Sequence, residues 1–119
     1  MNDFNYTLLR ETLLPALLGT EEPDILYWGG RRIAREYRKE TTEEIQTFFQ
    51  EAGWGELTLT SEKRKEMEFE MPLTREEKHL DRHLEAGFLA EQMEHLKNTS
   101  AETVITEKRK RILFHVYWD

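Results

Sequence analysis

Twice in this chain the tetrapeptide Glu-Lys-Arg-Lys leads into an alternating pattern: Thr60 to Phe69 reads TSEKRKEMEF, and Ile105 to Phe114 reads ITEKRKRILF. In the first copy Met67, Phe69 and Met71 alternate with Glu66, Glu68 and Glu70, and Leu57 and Leu59 alternate with Thr58 and Thr60 before the turn. A period of two with one apolar side marks a half-buried antiparallel pair. Val104-Ile105-Thr106 and Ile112 to Trp118 supply the strands of the second copy. Two such hairpins pair into one four-stranded sheet whose apolar face needs a helical cover. The expected fold is therefore α+β, a four-stranded antiparallel sheet made of two hairpins, packed with N-terminal helices and one long central helix.

The helices are read from a period of 3.6. Residues 4 to 18 carry Phe4, Leu8, Leu9, Leu13, Leu14, Leu17 and Leu18 around nearly the whole circumference, the pattern of a helix buried on all sides. Pro15 predicts a kink or restart before Gly19 ends the segment. In so small a chain, burying that many leucines points to a second subunit. A second helix is expected from Asp24, as N-cap, to about Arg38. At 100° per residue Leu26, Gly30, Ile33, Ala34 and Tyr37 fall on one face, with Trp28, Arg31, Arg32 and Arg35 on the other. Thr41 and Glu44 form a capping box for a third helix through Ile45, Phe48, Phe49 and Ala52, stopped by Gly53. A long helix from about Glu76 to Lys97 separates the hairpins, giving the order ααα, ββ, α, ββ.

At 119 residues the chain has the size of one domain, 1–119, with one core. Its 34% charged and 38% hydrophobic residues describe a globular exterior over that core. The net charge of -7 argues against nucleic acid or an anionic membrane as partner, since both demand neutralised phosphates. No apolar run approaches the ~20 residues that span a bilayer. The start, MNDFNYTLLRE, lacks the features of a signal peptide, which makes a cytoplasmic location the expectation. The absence of cysteine removes disulfides, thiolate nucleophiles and Cys-based metal sites. Asn98-Thr99-Ser100 reads as a polar connector before a strand.

Gly29 and Gly30 sit inside the second helix, without the spacing of a phosphate loop and without a strand upstream. Gly30 lies instead within the apolar stripe, where a missing side chain lets another backbone approach, and Gly87 in the central helix is the candidate partner. Gly30, Ile33, Leu84, Gly87 and Phe88 are thus the candidate helix crossing or apolar ligand pocket. Trp28, placed with three arginines away from the Leu26 stripe, has the composition of an interface hot spot. Leu13, Leu14, Leu17, Trp28, Arg31, Arg32 and Arg35 form the candidate dimer interface. His79 and His83 stand at i and i+4, but a Glu base and a third ligand are missing, so a solvated face is the expectation and no metal, cofactor or catalytic residue is assigned. A small metal-dependent or acid/base enzyme centred on His79, His83 and Asp81 is the alternative. The two Lys-Arg-Lys clusters belong at hairpin tips, where they keep sheet edges soluble; pointing the same way, they would form a local patch for an anionic partner.

Five motifs in order, Leu13-Leu14-Pro15-Ala16-Leu17-Leu18-Gly19, Asp24-Ile25-Leu26-Tyr27-Trp28-Gly29-Gly30, Ala52-Gly53-Trp54-Gly55, Leu84-Glu85-Ala86-Gly87-Phe88-Leu89-Ala90-Glu91-Gln92 and the terminal Trp118-Asp119, resemble the YslB-type proteins of Bacillus and related bacteria over almost the entire chain. The resemblance implies a place in the superfamily of 4-vinyl-reductase domains, found as small-molecule sensors, and of TRAPP-type subunits of vesicle tethering. It implies an antiparallel sheet packed on helices, frequent dimers, and a hydrophobic pocket or tunnel. Ala86 to Ala90 is similar to the small-residue helix motif of the 4-vinyl-reductase domains and Phe114-His115-Val116 to their closing strand. The cysteines common in those relatives are absent here, which excludes acylation through a thioester. The expected function is a non-enzymatic small-molecule-binding or protein-interaction module, homodimeric, with a hydrophobic small molecule as a candidate partner.

Overall fold

The computed structural model describes residues 4–74 and 80–119. Its element order is α1 (Phe4–Thr7), a π-helical run (Leu8–Leu13), α2 (Leu14–Leu18), a 3-10 turn (Gly19–Glu21), α3 (Glu22–Glu36), α4 (Thr42–Glu51), β1 (Thr58–Lys63), β2 (Glu66–Pro72), α5 (His83–Lys97), β3 (Ala101–Glu107) and β4 (Arg111–Trp118). The strands form one antiparallel sheet in the order β1-β2-β4-β3. The two hairpins expected from the repeat are present and join through β2 and β4, with Glu66 opposite Tyr117 and Pro72 opposite Arg111. That register puts the two Lys-Arg-Lys turns at opposite ends of the sheet, so they do not combine into one basic patch.

Alternation determines the faces. Met67, Phe69, Met71, Ile112, Phe114, Val116 and Trp118 are buried in one cluster with Ile45 and Phe49 of α4 and Ala86, Phe88, Leu89 and Met93 of α5. Glu66, Glu68, Glu70, His115 and Tyr117 occupy the other face, partly or fully exposed. Between α4 and α5 the rings of Phe48 and Phe88 stack at 4.6 Å, with Trp54 edge-on to Phe49 at 5.0 Å and to Phe88 at 5.3 Å. Edge-to-face and offset contacts of this kind suit the ring quadrupole. The cap of α4 forms as expected, Glu44 N–H donating to Thr41 Oγ1 at 3.1 Å. The reciprocal bond goes to Glu40 N–H instead, at 2.8 Å from Glu44 Oε1. Gly53 follows with φ 76°, a conformation that favours glycine.

Two boundaries and the course of the first helix differ from the sequence reading. Helix α3 begins at Glu22, not after Asp24, because Pro23 lies in the first turn, where its missing N–H is no loss. Helix α5 begins at His83: Leu80 to Arg82 are non-helical, and the Asp81 carboxylate accepts the His83 N–H at 2.8 Å, a local bond that competes with helical hydrogen bonding; the expected start near Glu76 lies outside the described residues. The first helix is continuous across Pro15, and the turn widens just before it into the π-run. A π-turn moves the carbonyl that the proline ring would otherwise strike. The helix is not buried on all sides. Within this chain Leu8, Leu9, Leu13 and Leu17 are exposed, and Arg10 is the one buried residue of the run Phe4–Leu18.

Candidate functional site

Helices α3 and α5 cross glycine on glycine. A Cβ on Gly30 would strike the carbonyl oxygen of Leu84 and come within 2.8 Å of Phe88 N; one on Gly87 would strike the carbonyl oxygen of Tyr27. The pair works reciprocally, each glycine receiving the other helix's backbone. Gly30, Gly87 and Phe88 are buried there, with Ile33 and Leu84 half-buried alongside. These five residues are brought together as a helix crossing closed by backbone contact.

Every residue from Glu85 to Met93 is buried, so the carboxylates in that stretch need internal partners. Glu85, 0% exposed, accepts from Arg10 through both oxygens at 3.0 and 3.2 Å. Arg82 donates to Glu85 Oε2 at 2.8 Å and to the Trp54 carbonyl at 3.1 Å. Arg10 also donates to the Asp81 carbonyl at 2.7 Å and to the Tyr6 hydroxyl at 3.1 Å. Burial by itself lowers the Arg10 pKa, but the Glu85 charge and hydrogen bonds outweigh it and leave it raised. Beside this group, burial and then the Asp81 charge raise the Glu22 carboxyl, with Arg10 opposing them.

The second buried carboxylate, Glu91, accepts from Arg31 at 3.1 Å and from Arg35 at 3.2 Å, with Arg38 at 3.7 Å. Arg31 further pairs with Glu94 and Glu102 at 3.3 Å each and donates to the Ala101 carbonyl at 2.7 Å. Burial tends to lower its pKa, and the neighbouring Tyr27, the hydrogen bond to Glu91 and the charges of Glu94 and Glu102 raise it above the ordinary value. Arg31 therefore faces α5 and β3, not the open side with Trp28. Of the α3 residues assigned to the open face, Trp28 is 61% exposed, and Arg32 makes a long, exposed i,i+4 pair with Glu36, 3.4 Å. Fully buried Gln92 holds the end of α3, donating to the Tyr37 carbonyl at 2.8 Å and accepting Lys39 N–H at 3.0 Å.

Asp81 and His83 lie together, Oδ1 to Nδ1 at 2.9 Å, while His79 lies outside the described residues. Among the described residues no three His, Cys, Asp or Glu side chains are placed to hold a metal ion. Sequence reasoning missed Arg10, Arg82 and Gln92. The signal was available: a helix covered on both sides that contains Glu85, Glu91 and Gln92 must find polar partners elsewhere, and Arg10 is the lone cation of a leucine-rich helix.

A concave apolar surface lies on the first helix. Asn5, Leu8, Leu9 and Leu13 line an open hollow of about 440 Å³, and Leu17, 69% exposed, follows Leu13 by one turn. Leu14 is half-buried. Among the described residues no helix is long and apolar enough to cross a membrane.

The fold matches two solved structures over the whole chain. One is a vinyl-4-reductase family protein from Methanocaldococcus jannaschii, of which 82% is covered, at TM-score 0.69 and 16% identity. The other is a mutant Fe(II) unliganded H-NOX protein from K. algicida, of which 74% is covered, at TM-score 0.64 and 14% identity. The whole chain also aligns with 86% of the uncharacterized protein YslB of Bacillus subtilis at 39% identity. Residues 3–117 match the model of the family described as protein of unknown function DUF2507, and the chain belongs to that family.

Proposed function

We propose that this chain is a non-enzymatic interaction module that associates with a second copy of itself through the leucine face of its first helix and the Trp28 side of α3. The observation that carries the reading is the inverted first helix, which turns its arginine inward and Leu8, Leu9, Leu13 and Leu17 outward. Large exposed apolar patches on monomers mark interaction sites, and covering each leucine fully is worth about 1.5–3 kcal/mol. A second copy suits this surface because it combines a hollow, at Asn5, Leu8, Leu9 and Leu13, with a projecting Leu17 one turn on. Such self-complementarity is what a two-fold interface needs. Trp28 and Ile25, exposed one turn apart on α3, extend the apolar surface beyond the first helix.

Against an acid/base site, the buried carboxylates Glu85 and Glu91 are saturated with arginines, and Asp81 is engaged by the backbone and ring of His83. A second reading, an apolar small molecule in the leucine hollow, is favoured by its volume, within the usual range of ligand sites of about 300–1,000 Å³. Native mass spectrometry and light scattering separate the two. The wild type is expected at the mass of two chains, and the double variant Leu13→Glu/Leu17→Glu, changed at exposed positions, at the mass of one. A monomeric wild type carrying a co-purified apolar molecule would replace the first reading with the second.

A further inference from the structure

We infer that Arg10 is a latch: one guanidinium fixes the helical run Phe4–Leu18 to the rest of the chain and so holds the proposed self-association surface in shape. The inference rests on the dimer reading for its consequence, though not for the latch itself. Arg10, 5% exposed, is the run's one buried residue. Its bonds beyond the run go to Glu85, through both oxygens, and to the Asp81 carbonyl. The π-run Leu8–Leu13 contains Arg10, and its wider turn resets the angular register, with Arg10 inward and Leu8, Leu9 and Leu13 outward. A helix of this length is marginal in water without tertiary contacts.

The two ends of the ion pair are not equivalent. Glu85 is already paired within α5 and its entry by Arg82, which is also bonded to the Trp54 carbonyl. Removing Arg10 leaves Glu85 with a cation; removing Glu85 would leave two buried guanidinium groups without their shared anion, a far larger penalty. The body can therefore dispense with Arg10, whereas in the run, where Tyr6 also packs against the core, Arg10 is the buried tie to Glu85 and the Asp81 carbonyl.

The test is Arg10→Met, which keeps the apolar stem, read by amide hydrogen exchange and light scattering. Exchange at residues 4–18 is expected to accelerate at least tenfold, with α5 and β4 as protected as in the wild type, and the mass is expected to fall from two chains to one. Unchanged exchange at residues 4–18 overturns the latch, and so does a global loss of protection, since Arg10 would then support the body. Faster exchange with the dimer retained upholds the latch and overturns the leucine surface as the contact. Should the wild type itself be monomeric, the dimer reading fails and the exchange arm still decides the latch.

Discussion

Three glycines at one crossing predict effects of opposite sign from chemically identical substitutions. At Gly30 and Gly87 an added methyl meets backbone atoms of the facing helix, which cannot move aside as a side-chain tip can. Gly30→Ala or Gly87→Ala must force α3 and α5 apart, and overpacking of this kind costs about 1–3 kcal/mol or more. Gly29 faces only Leu84 Cδ1 at 3.7 Å, an ordinary contact. Gly29→Ala should therefore gain up to about 1 kcal/mol from helix propensity. Urea unfolding of the three variants checks the sign at each position, and a stable Gly87→Ala variant would refute the backbone crossing. Gly30 was legible because it stands in an apolar stripe. Arg31 was not: it lies only about 60° around the helix from Ala34, where side-chain class alone does not say whether a long cation turns inward. Its partners Glu91, Glu94 and Glu102 are 60 to 71 positions away, beyond the reach of periodicity.

Elements with strong local signals formed where the residues put them. The Thr41 cap, the Gly53 stop and the alternation of β2 and β4 each depend on neighbours in sequence or on a single exposed face. The start of α5 depends instead on a competing bond from Asp81, which charged helix formers upstream conceal. Edge strand β3 shows another nonlocal term. Side chains of α3 and α5 occupy backbone groups at its start: Ala101 C=O accepts from Arg31, Ala101 N–H donates to Glu94 at 3.2 Å, and Thr103 N–H donates to the Tyr27 hydroxyl at 3.1 Å. Such cover blunts an exposed edge. Tyr27 in turn donates to Glu102 at 2.7 Å, and burial first, then this bond, raises its pKa. A pKa raised in the folded state means full stabilisation below the unfolded value of about 10 and its loss as pH rises through the folded value. Tyr27→Phe should cost about 1 kcal/mol at neutral pH. The gap between variant and wild type should narrow above pH ~10. Denaturant titrations at pH 7 and above 10 measure it; a gap independent of pH would show that the hydroxyl proton is not what matters.

At the scale of the whole molecule, the sheet and its helical layer close one core, while the first helix leaves Leu8, Leu9, Leu13 and Leu17 exposed. Its sequence pattern, apolar on all sides, implies more burial than this chain alone supplies; the direction of Arg10 could not be read, because it is set by Glu85, 75 positions away. If a second copy provides the missing cover, folding and association are linked, and the midpoint of thermal unfolding must rise with protein concentration by mass action. The wild type is expected to unfold several degrees higher at hundred-micromolar than at micromolar concentration, since a stability change of about 1 kcal/mol moves the midpoint of a domain this size by roughly 4–8 °C. Leu13→Glu/Leu17→Glu should unfold at one temperature regardless of concentration, near the wild-type value at high dilution, because those side chains are exposed in the single chain. Calorimetry across that dilution series is decisive on this point. A wild-type midpoint indifferent to concentration would mean that the leucine face is not covered by a dissociating copy of the chain over that range.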